Sequence, residues 1–188
     1  MKNFIFKVEG GVSFLNIQVI ILLFIALLSG CASTGGSYKS IDSPLTSERE
    51  AKYSELLINV ESGNGVSLTQ ESLDRMTKLV IENIKADANN RYKKINGNPD
   101  IASALEVSVI IKKYEEGNAF ARAMLAGLGQ MHIDADVFLY DHATKEKLTQ
   151  YEVTKTFAWG GAYGAFTSIK DVEVGFSKAV ADSILGKK

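Results

Sequence analysis

The chain is 188 residues long, 46% apolar and 23% charged, with a formal net charge of −1. Those proportions are globular, which excludes a disordered chain, a collagen-like repeat and a multi-pass membrane protein. The near-neutral balance also excludes a broad cationic field, so nucleic acid is not an expected partner. At the N-terminus, Lys2 and Lys7 precede an unbroken apolar run from Val19 to Leu28, and the small residues Ser29 and Gly30 follow. This is the layout of an export leader. The run is about half of the roughly 20 residues a spanning helix needs. Residues 1–30 are therefore expected to be a cleaved signal peptide.

The only cysteine, Cys31, comes directly after Leu28, Ser29 and Gly30. Leu28-Ser29-Gly30-Cys31 resembles the lipobox of bacterial lipoproteins. The resemblance implies diacylglycerol on the Cys31 thiol and cleavage just ahead of it, making Cys31 a membrane anchor rather than a catalyst. Two or more acyl chains hold a protein stably on a bilayer. Ala32 rather than Asp follows the cysteine, and by the lipoprotein sorting rule this implies the periplasmic face of the outer membrane. Residues 31–47 are polar and punctuated by Gly and Pro. They read as a flexible tether with a reach of roughly 20–25 Å. A single domain is expected over 48–188.

Within that domain Glu55–Val60 is short and apolar and ends at Gly63-Asn64-Gly65, which predicts a first strand. Thr69 then stands as a helix N-cap, with Leu68 and Leu73 placed for a hydrophobic staple. Leu73, Met76, Val80 and Ile84 form one helical stripe, which Asn89-Asn90 and the turn Asn96-Gly97-Asn98-Pro99 bring to an end. From Ala102 to Tyr114 apolar Leu105, Val107, Val109 and Ile111 alternate with Glu106, Ser108 and Lys112, the period of a half-buried strand. Met131–Tyr140 repeats the pattern, and Lys147–Phe157 completes an antiparallel meander. The last helix starts at Ser168 with Asp171 at its third position, carries Val172, Phe176, Ala179, Val180 and Ile184, and stops at Gly186. The order β-α-β-β-β-α with one apolar sheet face predicts an α+β two-layer sandwich. Its four-stranded sheet is mixed but mostly antiparallel, and both helices lie on one face. A crossover through the first helix places the first strand parallel to the second or near it.

His132-Ile133-Asp134-Ala135-Asp136 puts an imidazole and two carboxylates on one strand face. Residues i and i+4 on a strand are ~13 Å apart, too far to share an ion whose bonds are about 2 Å long. No metal is expected. The glycine-rich Gly160–Gly164 lacks both the Lys-Ser/Thr ending of a phosphate loop and a following strand, so no nucleotide or other cofactor is expected. Neither a G-x-S-x-G elbow nor an H-E-x-x-H helix is present, and no catalytic residue is assigned. The unusual segment is Ala119–Leu128, with a single charge among small and apolar residues. One reading folds it back as a helical turn over the core or a sheet edge. The other makes Phe120, Arg122, Met124, Leu125 and Leu128, together with Trp159, Tyr163 and Phe166, a contact patch. Such a patch would serve self-association, a protein partner or the membrane surface. Both loops fall at the same end of a simple meander.

Arg122 ahead of Gly127-Leu128-Gly129, the alternating strand, the Asp141-x-x-Thr144 turn and the glycine-rich loop before a last helix resemble a family of bacterial lipoproteins known as a domain of unknown function. Many of its members carry Gly after the turn threonine, where this chain has Lys145. The element order is also similar, more remotely, to the amino-terminal domain of TolB and the periplasmic domain of the curli secretion lipoprotein. These resemblances imply partner binding and envelope assembly rather than catalysis. The expectation is therefore a non-enzymatic, lipid-anchored binding or scaffolding module that touches an envelope protein. The alternative is an oligomeric accessory subunit of a secretion or transport machine.

Overall fold

In chain order the elements are β1 (Ser37–Ser40), α1 (Ser47–Glu50), β2 (Glu55–Ser62), α2 (Gln70–Asp87), β3 (Lys94–Ile95), a 3₁₀ turn (Ile101–Ser103), β4 (Ala104–Glu115), α3 (Ala119–Met124), β5 (Met131–Asp141), β6 (Lys147–Phe157), α4 (Gly161–Phe166) and α5 (Ile169–Leu185). They come from a computed structural model that describes residues 35–125 and 128–187. The leader, Leu28, Ser29, Gly30 and Cys31 of the lipobox, and Gly127 lie outside the described residues.

The six strands form one sheet in the order β1-β6-β5-β4-β2-β3. β2 runs parallel to β4 and to β3, and the other pairs are antiparallel. The meander β4-β5-β6, the β2-α2-β4 crossover between parallel strands and the two long helices match the sequence pattern. Two strands are additional, so the sheet has six strands and not the expected four. β1 is polar and four residues long, too short to show a period. Backbone pairing with β6 from Ser37↔Thr154 to Ser40↔Tyr151 holds it, and the Tyr38 ring packs edge-on against Tyr151. β3 is only Lys94–Ile95, added beside the start of β2. Besides α2 and α5 there are three short helices: α1 falls at the expected boundary between tether and domain, and α3 and α4 fall in connections between the long elements.

The β1 strand also corrects the tether. The Gly35 carbonyl accepts from Lys155 Nζ at 2.8 Å, and Gly36 N donates to Gly175 O at 3.0 Å. Gly36 fits because it lacks a side chain: a Cβ there would lie 2.9 Å from the Ala179 Cβ and 3.0 Å from the Thr154 carbonyl oxygen. The folded body thus takes in residues 35–47, which the sequence reads as part of the tether.

One sheet face carries the core. Val107, Val109, Ile111, Ile133, Val137 and Val153 are fully buried there, beneath Met76, Val80 and Ile84 of α2 and Phe176 and Val180 of α5. Local chemistry fixes the helix ends. Thr69 accepts from Ser72 N, Ser168 and Asp171 form a reciprocal capping box, and Gly186 leaves α5 at φ +62°. Between the helices Glu173 is fully enclosed. Its carboxylate accepts from Arg75 Nε at 2.6 Å, Arg75 Nη2 at 2.9 Å and the Tyr114 hydroxyl at 2.7 Å. Burial and this carboxylate push the Tyr114 hydroxyl well above the ordinary tyrosine range, and the bond to Glu173 raises Arg75.

Breaking this cluster from one side leaves a buried charge without a partner, which costs about 3–5 kcal/mol, whereas an apolar replacement of both ions is close to neutral. Arg75→Ala should therefore lower the urea midpoint sharply, and Arg75→Met combined with Glu173→Leu should recover most of the loss. The raised Tyr114 contributes stability that is complete below the ordinary tyrosine pKa near 10 and lost as pH rises through its higher folded value. Above about pH 10 the urea midpoint of the parent should therefore fall more steeply with pH than that of Tyr114→Phe, which has no proton to lose there.

Candidate contact surface

The chain between β4 and β5 turns back on itself at Gly129, where φ is +71° and a Cβ would meet the Asn118 carbonyl oxygen at 2.4 Å. Asn118 caps α3 by accepting from Ala121 N at 2.9 Å. In this short helix Phe120 and Met124, four residues apart, share a face, and Arg122 between them points the other way. After β6 the chain passes Trp159 and enters α4. There Gly164 closes on α3, because a Cβ would sit 2.1 Å from the Trp159 carbonyl oxygen and 3.4 Å from the Arg122 Cβ.

Arg122 is only 3% exposed. Its Nε donates to Gly164 O at 2.8 Å and its Nη2 to Thr167 O at 3.1 Å. Nη1 donates to Gly129 O at 2.8 Å and to Glu116 O at 3.3 Å. All four partners are backbone carbonyls, two from each loop. The planar fork of donors suits this task, and a lysine ammonium could not span it. The expectation that Arg122 belongs to the contact patch is thereby corrected: it lies beneath the patch and joins the two loops. The glycine-rich loop likewise turns carbonyls, not N–H groups, toward its partner, the reverse of a phosphate cradle.

The other seven expected patch residues are all exposed. Phe120, Met124, Leu125, Leu128, Trp159, Tyr163 and Phe166 make up seven of the ten exposed large apolar side chains among the described residues, with Phe166 87% and Phe120 74% exposed. The helical turn over 119–124 does form, but its large side chains are not folded into the core. Tyr163 packs on Phe157 with ring centroids 5.7 Å apart and edge-on to Trp159 at 6.3 Å. Residues 118–130 contain one charged side chain, the buried Arg122, and residues 157–169 contain none. The surface is therefore apolar without a charged rim of its own.

The residues of the other sequence candidates disperse into ordinary pairs on the open sheet face. His132 Nε2 contacts Asp134 Oδ2 at 2.7 Å, and its Nδ1 lies 2.6 Å from Thr156 Oγ1. Asp136 pairs instead with Lys112 at 2.8 Å, and Lys112 also reaches Glu152 at 3.0 Å. Among the described residues no three His, Cys, Asp or Glu side chains come together to hold a metal. His132 thus links the Thr156 hydroxyl and the Asp134 carboxylate in a hydroxyl-imidazole-carboxylate chain on the open sheet face. His142 Nδ1 donates to the Glu106 carboxylate at 2.8 Å, and Glu106 also pairs with Lys145. Lys145 takes the left-handed conformation at φ +59°. The Asp141 carboxylate caps this turn through Thr144 N at 2.9 Å and is held below the usual carboxylate range by that bond first and by the Tyr53 hydroxyl second.

The sequence matches the family model described as a domain of unknown function, DUF4410, over residues 31–161. The chain belongs to the DUF4410 family. No curated protein matches it. Among solved structures, the fold is similar to a point variant of the PelC dodecamer from Paraburkholderia phytofirmans, at 11% identity, a TM-score of 0.52, and coverage of 81% of this chain and 98% of that one. A second PelC dodecamer crystal form from the same organism gives 13% identity, a TM-score of 0.51, and coverage of 81% and 99%. A Xanthomonas campestris protein of the DUF330 family model gives 7% identity, a TM-score of 0.46, and coverage of 69% and 81%. At these identities the likeness to PelC shows a shared fold. Among the described residues no helix is long and apolar enough to cross a membrane.

Nothing in the composition of 119–128 announced the carbonyl-bound arginine except its isolation. A single guanidinium among small and apolar residues has no carboxylate within 118–130 to pair with. Arg122→Lys should leave at least two of the four carbonyls unsatisfied, at roughly 1–3 kcal/mol for each buried group. Amide exchange in α3 and α4 should then rise at least about tenfold while that of α2 and β2 stays near the parent value.

Proposed function

We propose that this DUF4410 protein is a lipid-moored, non-enzymatic binding module on the periplasmic face of the outer membrane. The observation that carries the reading is the charge-free aromatic patch, held in a fixed shape by Arg122 although its large side chains stand in water. Contiguous exposed apolar surface of this kind belongs to contact sites. Support for the anchor comes from the position of the only cysteine, directly behind Leu28-Ser29-Gly30, and from a family match whose span begins at that same residue. An envelope protein is the expected partner of the module as a whole.

A second reading, an oligomeric accessory of a secretion or transport machine, is favoured by the fold shared with PelC, which crystallised as a dodecamer.

Mass spectrometry of the protein from its host should find an N-terminus at Cys31 carrying acyl chains, and Cys31→Ser should move the protein from the membrane to the soluble fraction. An unmodified thiol with residues 1–30 still attached would defeat the anchored reading. Light scattering on the detergent-solubilised mature protein separates the two forms: a single copy supports the module, a defined ring the machine subunit.

A further inference from the structure

We infer that the patch formed by Phe120, Met124, Leu125, Trp159, Tyr163 and Phe166 rests in the interface of the bilayer that carries the Cys31 anchor. The protein would then be held by its acyl chains and by these loops together. This rests on the anchored reading and names the occupant of the same surface.

The argument is one of chain length and direction. With the tether expected from sequence, about sixteen residues would let the body turn any face to the membrane. The β1 strand removes most of that freedom. Only five residue steps separate Cys31 from Gly36, at most roughly 16–18 Å of fully extended chain, and Gly36 is locked between β6 and α5. Ser37 pairs with Thr154, so the chain reaches the sheet three residues short of Phe157 and five short of Trp159, about 10 and 16 Å along the strand. The start of β1, the end of β4, the start of β5 and the end of β6 all lie at this one end of the sheet. An acylated Cys31 therefore draws the end that bears the patch toward the membrane. A folded domain of ~100 residues, with a radius of gyration near 13 Å, does not fit in the gap that remains.

The chemistry of the patch agrees. Tryptophan and tyrosine favour the headgroup level of a bilayer, where an apolar ring meets lipid and its polar atom meets water. Phe120, Met124, Leu125 and Phe166 supply the apolar contact. The one charged side chain within 118–130 and 157–169, Arg122, is already solvated by four carbonyls, so insertion of these stretches strips water from no ion. Without basic residues in the patch, association needs no anionic lipid and should be insensitive to salt.

Trp159 is the only tryptophan in the chain, so its fluorescence reports on the patch alone. The mature protein, acyl chains verified by mass, is reconstituted into phosphatidylcholine vesicles with and without brominated acyl chains. The expected result is blue-shifted Trp159 emission and about twofold quenching by the brominated lipid, unchanged by added phosphatidylglycerol or salt. Phe120→Asp with Phe166→Asp should still float with the vesicles yet lose most of the quenching. Circular dichroism checks its fold, and Phe166→Ser, at a position that is 87% exposed, serves if the double variant unfolds. Vesicle-bound protein whose Trp159 ignores brominated lipid and is quenched by acrylamide overturns the inference and leaves the anchor intact. Trp159 shielded from both quenchers means that a protein, a partner or a second copy, covers the patch, and this also overturns it. An unacylated Cys31 overturns the anchored reading itself, and vesicle quenching of Trp159 in that protein would still support the loops as a lipid-binding surface. Absence of quenching there defeats both.

Discussion

A single guanidinium sets the geometry on which the apolar surface depends. Arg122 is enclosed without a carboxylate beside it, and the solvation it gives up is replaced by the carbonyls of Glu116, Gly129, Gly164 and Thr167. Those four oxygens come from two loops that are separated by the whole β5-β6 hairpin in sequence. The helices α3 and α4 have six residues each, far too short to persist alone in water. Their shape is therefore a property of the arginine and of the close approach that Gly164 permits.

This also accounts for why the patch stays outside. Fully burying a Phe or Leu side chain stabilises a protein by about 1.5–3 kcal/mol, so seven large apolar groups in water are held against a considerable pull inward. Two features resist it. The inner side of the loops is already occupied by the arginine, and the core beneath is filled by Met131, Ile133 and Phe157 from the ends of β5 and β6. The sheet has a second face, but it is lined with Lys112, Asp136 and Glu152 in ion pairs and with the His132–Asp134 contact. An apolar loop folded onto that face would desolvate charges.

Much of the fold was legible because it is written in periods. Alternation placed β4, β5 and β6, and the stripe from Leu73 to Ile84 placed α2. The caps at Thr69 and Ser168 stand where their side chains demand, and Gly186 stands where the backbone turns left-handed. The elements that escaped are those without a period. Ser37–Ser40 has four residues and one aromatic ring, and its strand character resides in backbone bonds to β6 that no composition reveals. Lys94–Ile95 is shorter still. At the patch, the exposure of Phe120 and Phe166 was legible as an alternative, since an apolar loop either covers a core or meets a partner. The burial of Arg122 was not, because two of its partners lie on a loop more than forty residues away and all four are main-chain atoms, the same for every sequence.

The short polar edges bear on how copies or partners can meet. A long, flat edge strand invites another strand to pair with it, but β1 offers four residues on one side of the sheet and β3 two on the other. Extension of the sheet from one molecule to the next is thus poorly supported, and contacts must use the faces or the loops. If the loop end lies on the bilayer, the strands stand away from it and the open face, with its paired Lys112, Asp136 and Glu152, looks sideways along the membrane plane. Molecules moored in that plane would meet through polar, water-accessible surfaces. The apolar material would then serve to orient each molecule, and the specificity of any assembly would have to reside in the placement of charges on the uncovered sheet.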